Sequence, residues 1–102
     1  MKESTWQHDE IFPIIEDIIG GNSGWILSYE IGHALMNSKR ARPIVEHAAR
    51  RQGNPLDWVA CNMASWYSQR ISKGTWDCPF VRKRVRRMTR FNHAPQWAYR
   101  AA

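Results

Sequence analysis

The sequence predicts a mainly helical α+β fold, four helices closed by a small C-terminal β-hairpin, in one domain of 102 residues. Three observations predict it. Up to Gly74, apolar residues recur at helical spacing between Gly and Pro breaks. Beyond Gly74, the texture changes to alternating basic and apolar residues. The composition, 43% hydrophobic with six tryptophans, suits a packed core and not a disordered basic tail.

The first helix is carried by Ile11, Phe12, Ile14, Ile15, Ile18 and Ile19, which together make a wide apolar face. Pro13 is tolerated only near a helix start, so the helix is expected to begin near Asp9 or Glu10. Gly20, Gly21 and Asn22 end it. Trp25, Ile26 and Leu27 form a short β-prone run, one strand of a small sheet. Ser28 offers an N-cap for a second helix over 29–36. Pro43 suits the first turn of a third helix, 43–52, with Ile44, Val45, Ala48 and Ala49 on its apolar side. Gly53 and Asn54 break the chain, and Pro55 opens a longer fourth helix to about Ile71. Residues 75–79 read as a loop, Asn92 to Pro95 as a turn and 96–100 as a strand.

Charge is distributed unevenly within the net +6. Residues 1–57 carry six Lys or Arg against eight carboxylates, a net of −2. Residues 58–102 carry nine against Asp77 alone, a net of +8. Such asymmetry points to a polyanionic partner, and the excess is mostly arginine, whose fork fits phosphate and guanine edges. A solvated basic surface that keeps the protein soluble would have the same charge.

Several function classes are not supported. Cys61 and Cys78 form no CxxC pair, and the four histidines are too scattered for a metal-ligand spacing, so no metal or cofactor is expected. The thiols read as reduced and the protein as cytoplasmic. No apolar run reaches membrane length, and the polar, acidic start does not resemble a signal peptide. No enzyme is expected either. Ser23 and Ser28 lack a Gly-x-Ser-x-Gly context, and Glu30 and His33 form a single Glu-x-x-His without further ligands.

The binding candidates fall into two groups. On the fourth helix, at 100° per residue, Leu56, Val59, Ala60, Met63, Trp66 and Tyr67 form a core stripe. The opposite face holds Trp58, Cys61, Asn62, Ser65, Ser68, Gln69 and Ser72. An ordinary surface helix would place Glu and Lys there. Small, uncharged side chains suit close approach to base edges, with Asn62 or Gln69 for adenine and Ser65 and Ser68 for bases or phosphates. A plain solvated face, or one covered by a partner, would look the same. The third helix, the break at 53–55 and the fourth helix form a helix-turn-helix candidate, in which Ala49 permits a close crossing. The second helix is an alternative positioning helix.

The second group is the strip Val81-Arg82-Lys83-Arg84-Val85-Arg86-Arg87-Met88-Thr89-Arg90. As a strand it puts Arg82, Arg84, Arg86 and Arg90 on one face; as a helix it puts Val81, Val85 and Met88 on a core stripe. Either way a cationic strip results, able to contact several phosphates, and Phe80, Phe91, Trp97 and Tyr99 tie it to a fold.

The run Asn62-Met63-Ala64-Ser65-Trp66-Tyr67-Ser68-Gln69-Arg70-Ile71-Ser72, then Gly74 and the closing Trp97-Ala98-Tyr99-Arg100, resembles winged helix-turn-helix modules that accompany bacterial and phage restriction-type or HNH endonucleases. The resemblance covers about the last forty residues of this chain. It implies a winged helix that binds duplex DNA with one helix and a β-wing. Trp66, Tyr67, Trp97 and Tyr99 would then be packing residues, and Ser68, Gln69 and Arg70 would lie near DNA. The basic stretch before the turn is longer than in that pattern, and Asn92 to Pro95 stand where an Asp-Gly type turn is usual.

The expected function is therefore duplex DNA binding, as a small transcriptional regulator or a phage or mobile-element accessory factor. The expected contacts are Asn62, Ser65, Ser68, Gln69, Arg70, Lys73, Arg82, Lys83, Arg84, Arg86, Arg87 and Arg90. The alternative is a protein-interaction module or inhibitor that docks its basic face on an acidic or nucleic-acid-processing partner. RNA binding ranks lower, because the glycine-rich aromatic signature of common RNA-binding sheets is absent.

Overall fold

The computed structural model describes residues 5–85 and 96–101. Four helices, α1 (His8–Gly20), α2 (Ser28–Asn37), α3 (Arg42–Gln52) and α4 (Leu56–Ser72), pack around one core. Three strands, β1 (Ile26–Leu27), β2 (Val81–Val85) and β3 (Gln96–Arg100), form an antiparallel sheet in the order β1-β3-β2. The mainly helical class with a small C-terminal sheet is as expected. The short run at 26–27 is the third strand, paired to β3 through Ile26 with Tyr99 and Leu27 with Ala98.

Helix α1 starts at His8, one or two residues earlier than expected, which puts Pro13 in its second turn. Burial outweighs the local penalty. A proline in a helix interior costs about 3 kcal/mol. Ile11, Phe12, Ile14, Ile15 and Ile19 are buried, at roughly 1.5–3 kcal/mol each, while Pro13 faces solvent. Helix α2 also differs from expectation. Ser28 is its first residue and not its cap; instead the Glu30 carboxylate accepts the Leu27 N–H at 2.9 Å. At the far end of α3, Gly53 adopts φ +71°, and its N–H and that of Asn54 both reach the Ala49 carbonyl. A left-handed residue there turns the chain directly into α4.

Helix α4 is the centre of the molecule. Val59, Ala60, Met63, Ala64, Tyr67 and Ser68 are buried along it. Both α2 and α3 pack on α4, and α2 does so more extensively. The α2–α4 crossing is tight at Gly32, where a Cβ would stand 2.8 Å from Cys61 Sγ and 3.0 Å from Cys61 Cα. The sequence reading placed the small residue of the crossing at Ala49 on α3; the closer approach is made by α2.

Two α4 residues exchange places relative to expectation. Ser68 is buried, 6% exposed, because β3 covers that side of the helix and its Oγ is hydrogen-bonded to the Tyr99 hydroxyl. Trp66 is 37% exposed, because it lies at the edge of the stripe on which α1 and α3 close. The core thus wraps further toward the sheet than the helical period alone suggests. Tyr99 and Tyr67 meet there, their rings 5.5 Å apart, and Phe12 contacts Tyr67 edge-on at 5.2 Å.

Candidate nucleic-acid interface

Helix α4 presents a ridge with a groove on each side. Asn62, Ser65, Trp66 and Gln69 lie along the ridge, and Trp58 stands at its start, 52% exposed. On one flank a groove of about 530 Å³ runs between α4, the start of α2 and the β2–β3 pair. Ser65 and Gln69 line it from α4, Lys73 from the cap just after it, Ser28 and Tyr29 from α2, and Arg84 and Trp97 from the sheet. On the other flank a groove of about 700 Å³ holds Asn62 and Arg70 with residues of α1 and α3.

The β2–β3 register explains which way the basic residues point. Arg82 lies opposite Tyr99 and Arg84 opposite Trp97, so these four share the face turned to α4. The Arg82 guanidinium lies 3.8 Å from the Trp97 ring centroid and that of Arg84 lies 5.2 Å away. Arg82 also reaches α4, donating to the Ser72 hydroxyl at 3.3 Å and the Ser68 carbonyl at 3.5 Å. The other face repeats the scheme, with Lys83 4.2 Å and Arg100 4.9 Å from the ring of Trp25, which precedes β1. Among the described residues, Trp97 and Trp25 therefore each carry two cations. Stacking of this kind holds a charge in place while leaving it unneutralised.

Ion pairing follows a different map. Among the described residues the ion pairs are His8–Asp9, Arg40–Asp17 at 2.6 Å and Arg42–Glu46 at 3.4 Å. None of these involves a cation beyond Arg42, and no carboxylate among the described residues lines the smaller groove. Glu16 is turned inward, where it accepts from the Tyr67 hydroxyl and the Trp76 indole. Titrating groups nearby are shifted by burial first. Burial pushes Tyr99 above its ordinary 10.0, against the opposing pull of Ser68 and Arg82. It likewise raises Tyr67, helped by Cys78 and Glu16, and raises the Cys61 thiol, helped by the charge of Asp57. A raised thiol pKa means little thiolate and low reactivity.

No protein-family model, curated protein or solved structure matches this chain.

The expected contacts therefore divide. Ser65, Gln69, Lys73 and Arg84 share the smaller groove. Asn62 and Arg70 line the larger one. Ser68 touches the smaller groove but is committed to Tyr99. Lys83 is exposed on the outer sheet face, and Arg82 braces the sheet to α4. Arg86, Arg87 and Arg90, and the turn at Asn92 to Pro95, lie outside the described residues. Sequence reasoning missed Trp25 as the ring that carries Lys83 and Arg100. The period of two in 97–100, aligned with the short run at 25–27, was the available signal.

Proposed function

We propose that this protein binds duplex DNA as a winged-helix-like module, with the outer side of α4 directed at base edges and the β2–β3 pair beside it on the phosphate backbone. The observation that carries this reading is the smaller groove. There Ser65 and Gln69 on α4 face Arg84 on the sheet, Lys73 joins them, and no carboxylate among the described residues intervenes. Uncharged side chains flanked by cations suit an edge-reading helix placed between phosphates. The order of elements, with an antiparallel strand pair after the last helix, agrees with a wing. Lys83 and Arg100, held on Trp25, extend the basic surface around the sheet edge.

The test is fluorescence anisotropy with labelled duplexes across a salt series. Each phosphate contact contributes a slope of about −0.9 in log affinity against log salt, so Lys73→Ala with Arg84→Ala should flatten the slope by about 2. Gln69→Ala should instead change preference among sequences, by roughly 1–3 kcal/mol at one base pair. No binding to any duplex at low salt would end this reading.

One observation favours a second reading. Trp58 and Trp66 are exposed two turns apart on α4, and exposed tryptophans are frequent anchors of protein interfaces. On that reading the basic face docks on an acidic protein, and Trp58→Ala abolishes the complex. Under the DNA reading Trp58→Ala leaves duplex affinity unchanged.

A further inference from the structure

The larger groove lies across α4 from the proposed DNA surface, and its chemistry differs from that of the smaller one. Its volume, about 700 Å³, falls within the range of small-molecule sites. Three separate elements enclose it: the start of the described chain and α1 with Trp6 and His8, the end of α3 with Arg51, and α4 with Asn62, Trp66 and Arg70. Gln52 fixes the wall between the first two, donating to the Thr5 hydroxyl and accepting from the Asn54 amide at 3.0 Å.

Two arginines from different helices face this groove, and among the described residues no carboxylate lines it. The Arg70 guanidinium lies 5.3 Å from the Trp66 ring centroid, so its plane is held by an aromatic surface. Yet its Nε is buried and has no hydrogen-bond partner. A buried donor without an acceptor is unfavourable. Guanidinium groups recognise phosphate and carboxylate through paired donors. Exposed indole offers a stacking surface for a planar ring, and the Asn62 amide offers one donor and one acceptor function to that ring's edge.

We propose that this groove is a binding site for a mononucleotide, with the base against Trp66 and Asn62 and the phosphate on Arg51 and Arg70. The site shares Asn62 and Arg70 with the expected DNA contacts but none of Ser65, Gln69, Lys73 and Arg84, which carry the DNA reading, so the two can fail separately. The same chemistry is available from a free nucleotide or from an unpaired nucleotide at a DNA end.

The test is a titration of the full chain, followed by tryptophan emission and calorimetry, with 5′-AMP, 5′-GMP, adenosine and inorganic phosphate as separate probes. A second arm compares a blunt duplex with the same duplex carrying one unpaired nucleotide. The nucleotide should bind at least about tenfold more tightly than adenosine or phosphate, since each half of the ligand supplies part of the affinity. Arg51→Gln, at an exposed position that does not threaten folding, and Arg70→Gln should each weaken the nucleotide about tenfold. Arg51→Gln, outside the expected DNA contacts, should leave affinity for the blunt duplex unchanged. Binding confined to the unpaired end assigns the same site to a DNA terminus. Phosphate binding as tightly as nucleotide, equal affinity in both arginine variants, or no saturable binding of nucleotide or unpaired end overturns the proposal.

Discussion

The two halves of this molecule treat their charges in opposite ways. Up to Arg42, basic residues meet carboxylates: Arg40 pairs with Asp17 and Arg42 with Glu46. From Arg70 onward, five cations among the described residues meet tryptophans: Arg70 on Trp66, Arg82 and Arg84 on Trp97, Lys83 and Arg100 on Trp25. An ion pair cancels a charge, whereas an aromatic face orients it and leaves its field intact. The contrast teaches that a net charge is a poor guide to a binding surface until the partners of each cation are known.

The most severe way to break the comparison is to ask whether the halves are separate bodies. Phe12 on α1 contacts both Tyr67 and Trp76, and it is fully buried. Phe12→Ala should cost about 3–5 kcal/mol in urea unfolding, and both halves should melt in one transition. Two separated transitions would show that the halves are not one cooperative unit. Next in size is Ser68→Ala, which removes the partner of the buried Tyr99 hydroxyl. It should cost about 1–3 kcal/mol of stability while leaving duplex affinity unchanged. A variant with native stability and weakened DNA binding would instead make Ser68 a contact, as the sequence suggested.

A shallower effect appears on the alkaline side. Tyr67 and Tyr99 keep their protons in the fold above the ordinary value of 10.0, at which the unfolded chain loses them. Their contribution is complete below that pH and is lost as pH rises beyond it, because the unfolded state then binds fewer protons. Stability should therefore fall above about pH 10, and Tyr99→Phe should make the fall less steep. Smallest is Arg40→Ala. Its pair with Asp17 is exposed on both sides, so the loss should stay below about 1 kcal/mol, and duplex binding should be unaffected.

Much of this was legible beforehand. The four helices, the strand at 26–27 and the strand at 96–100 follow from apolar spacing and from breaks at Gly20, Gly53 and Gly74, signals that are local. What escaped was set by distant partners. Nothing near Ser68 in sequence announces Tyr99, and nothing near Gly32 announces Cys61. Pro13 shows the same limit from the other side, since a local rule gave way to burial of the isoleucines around it. The candidate site was legible as a set of residue types. Its division between two grooves was not, because helical spacing does not say which neighbours stand to the left and right of α4.

Arg82 sets a spacing between helix and sheet. One side chain spans from β2 to Ser68 and Ser72 on α4 while lying flat on Trp97. It acts as a strut, so the gap between helix and sheet has a preset width, like callipers locked at one opening. Whatever enters that gap is gauged for thickness before any of its chemical groups is read. Cutting the strut with Arg82→Ala would turn a rigid gauge into a compliant one, and selectivity should suffer before grip does.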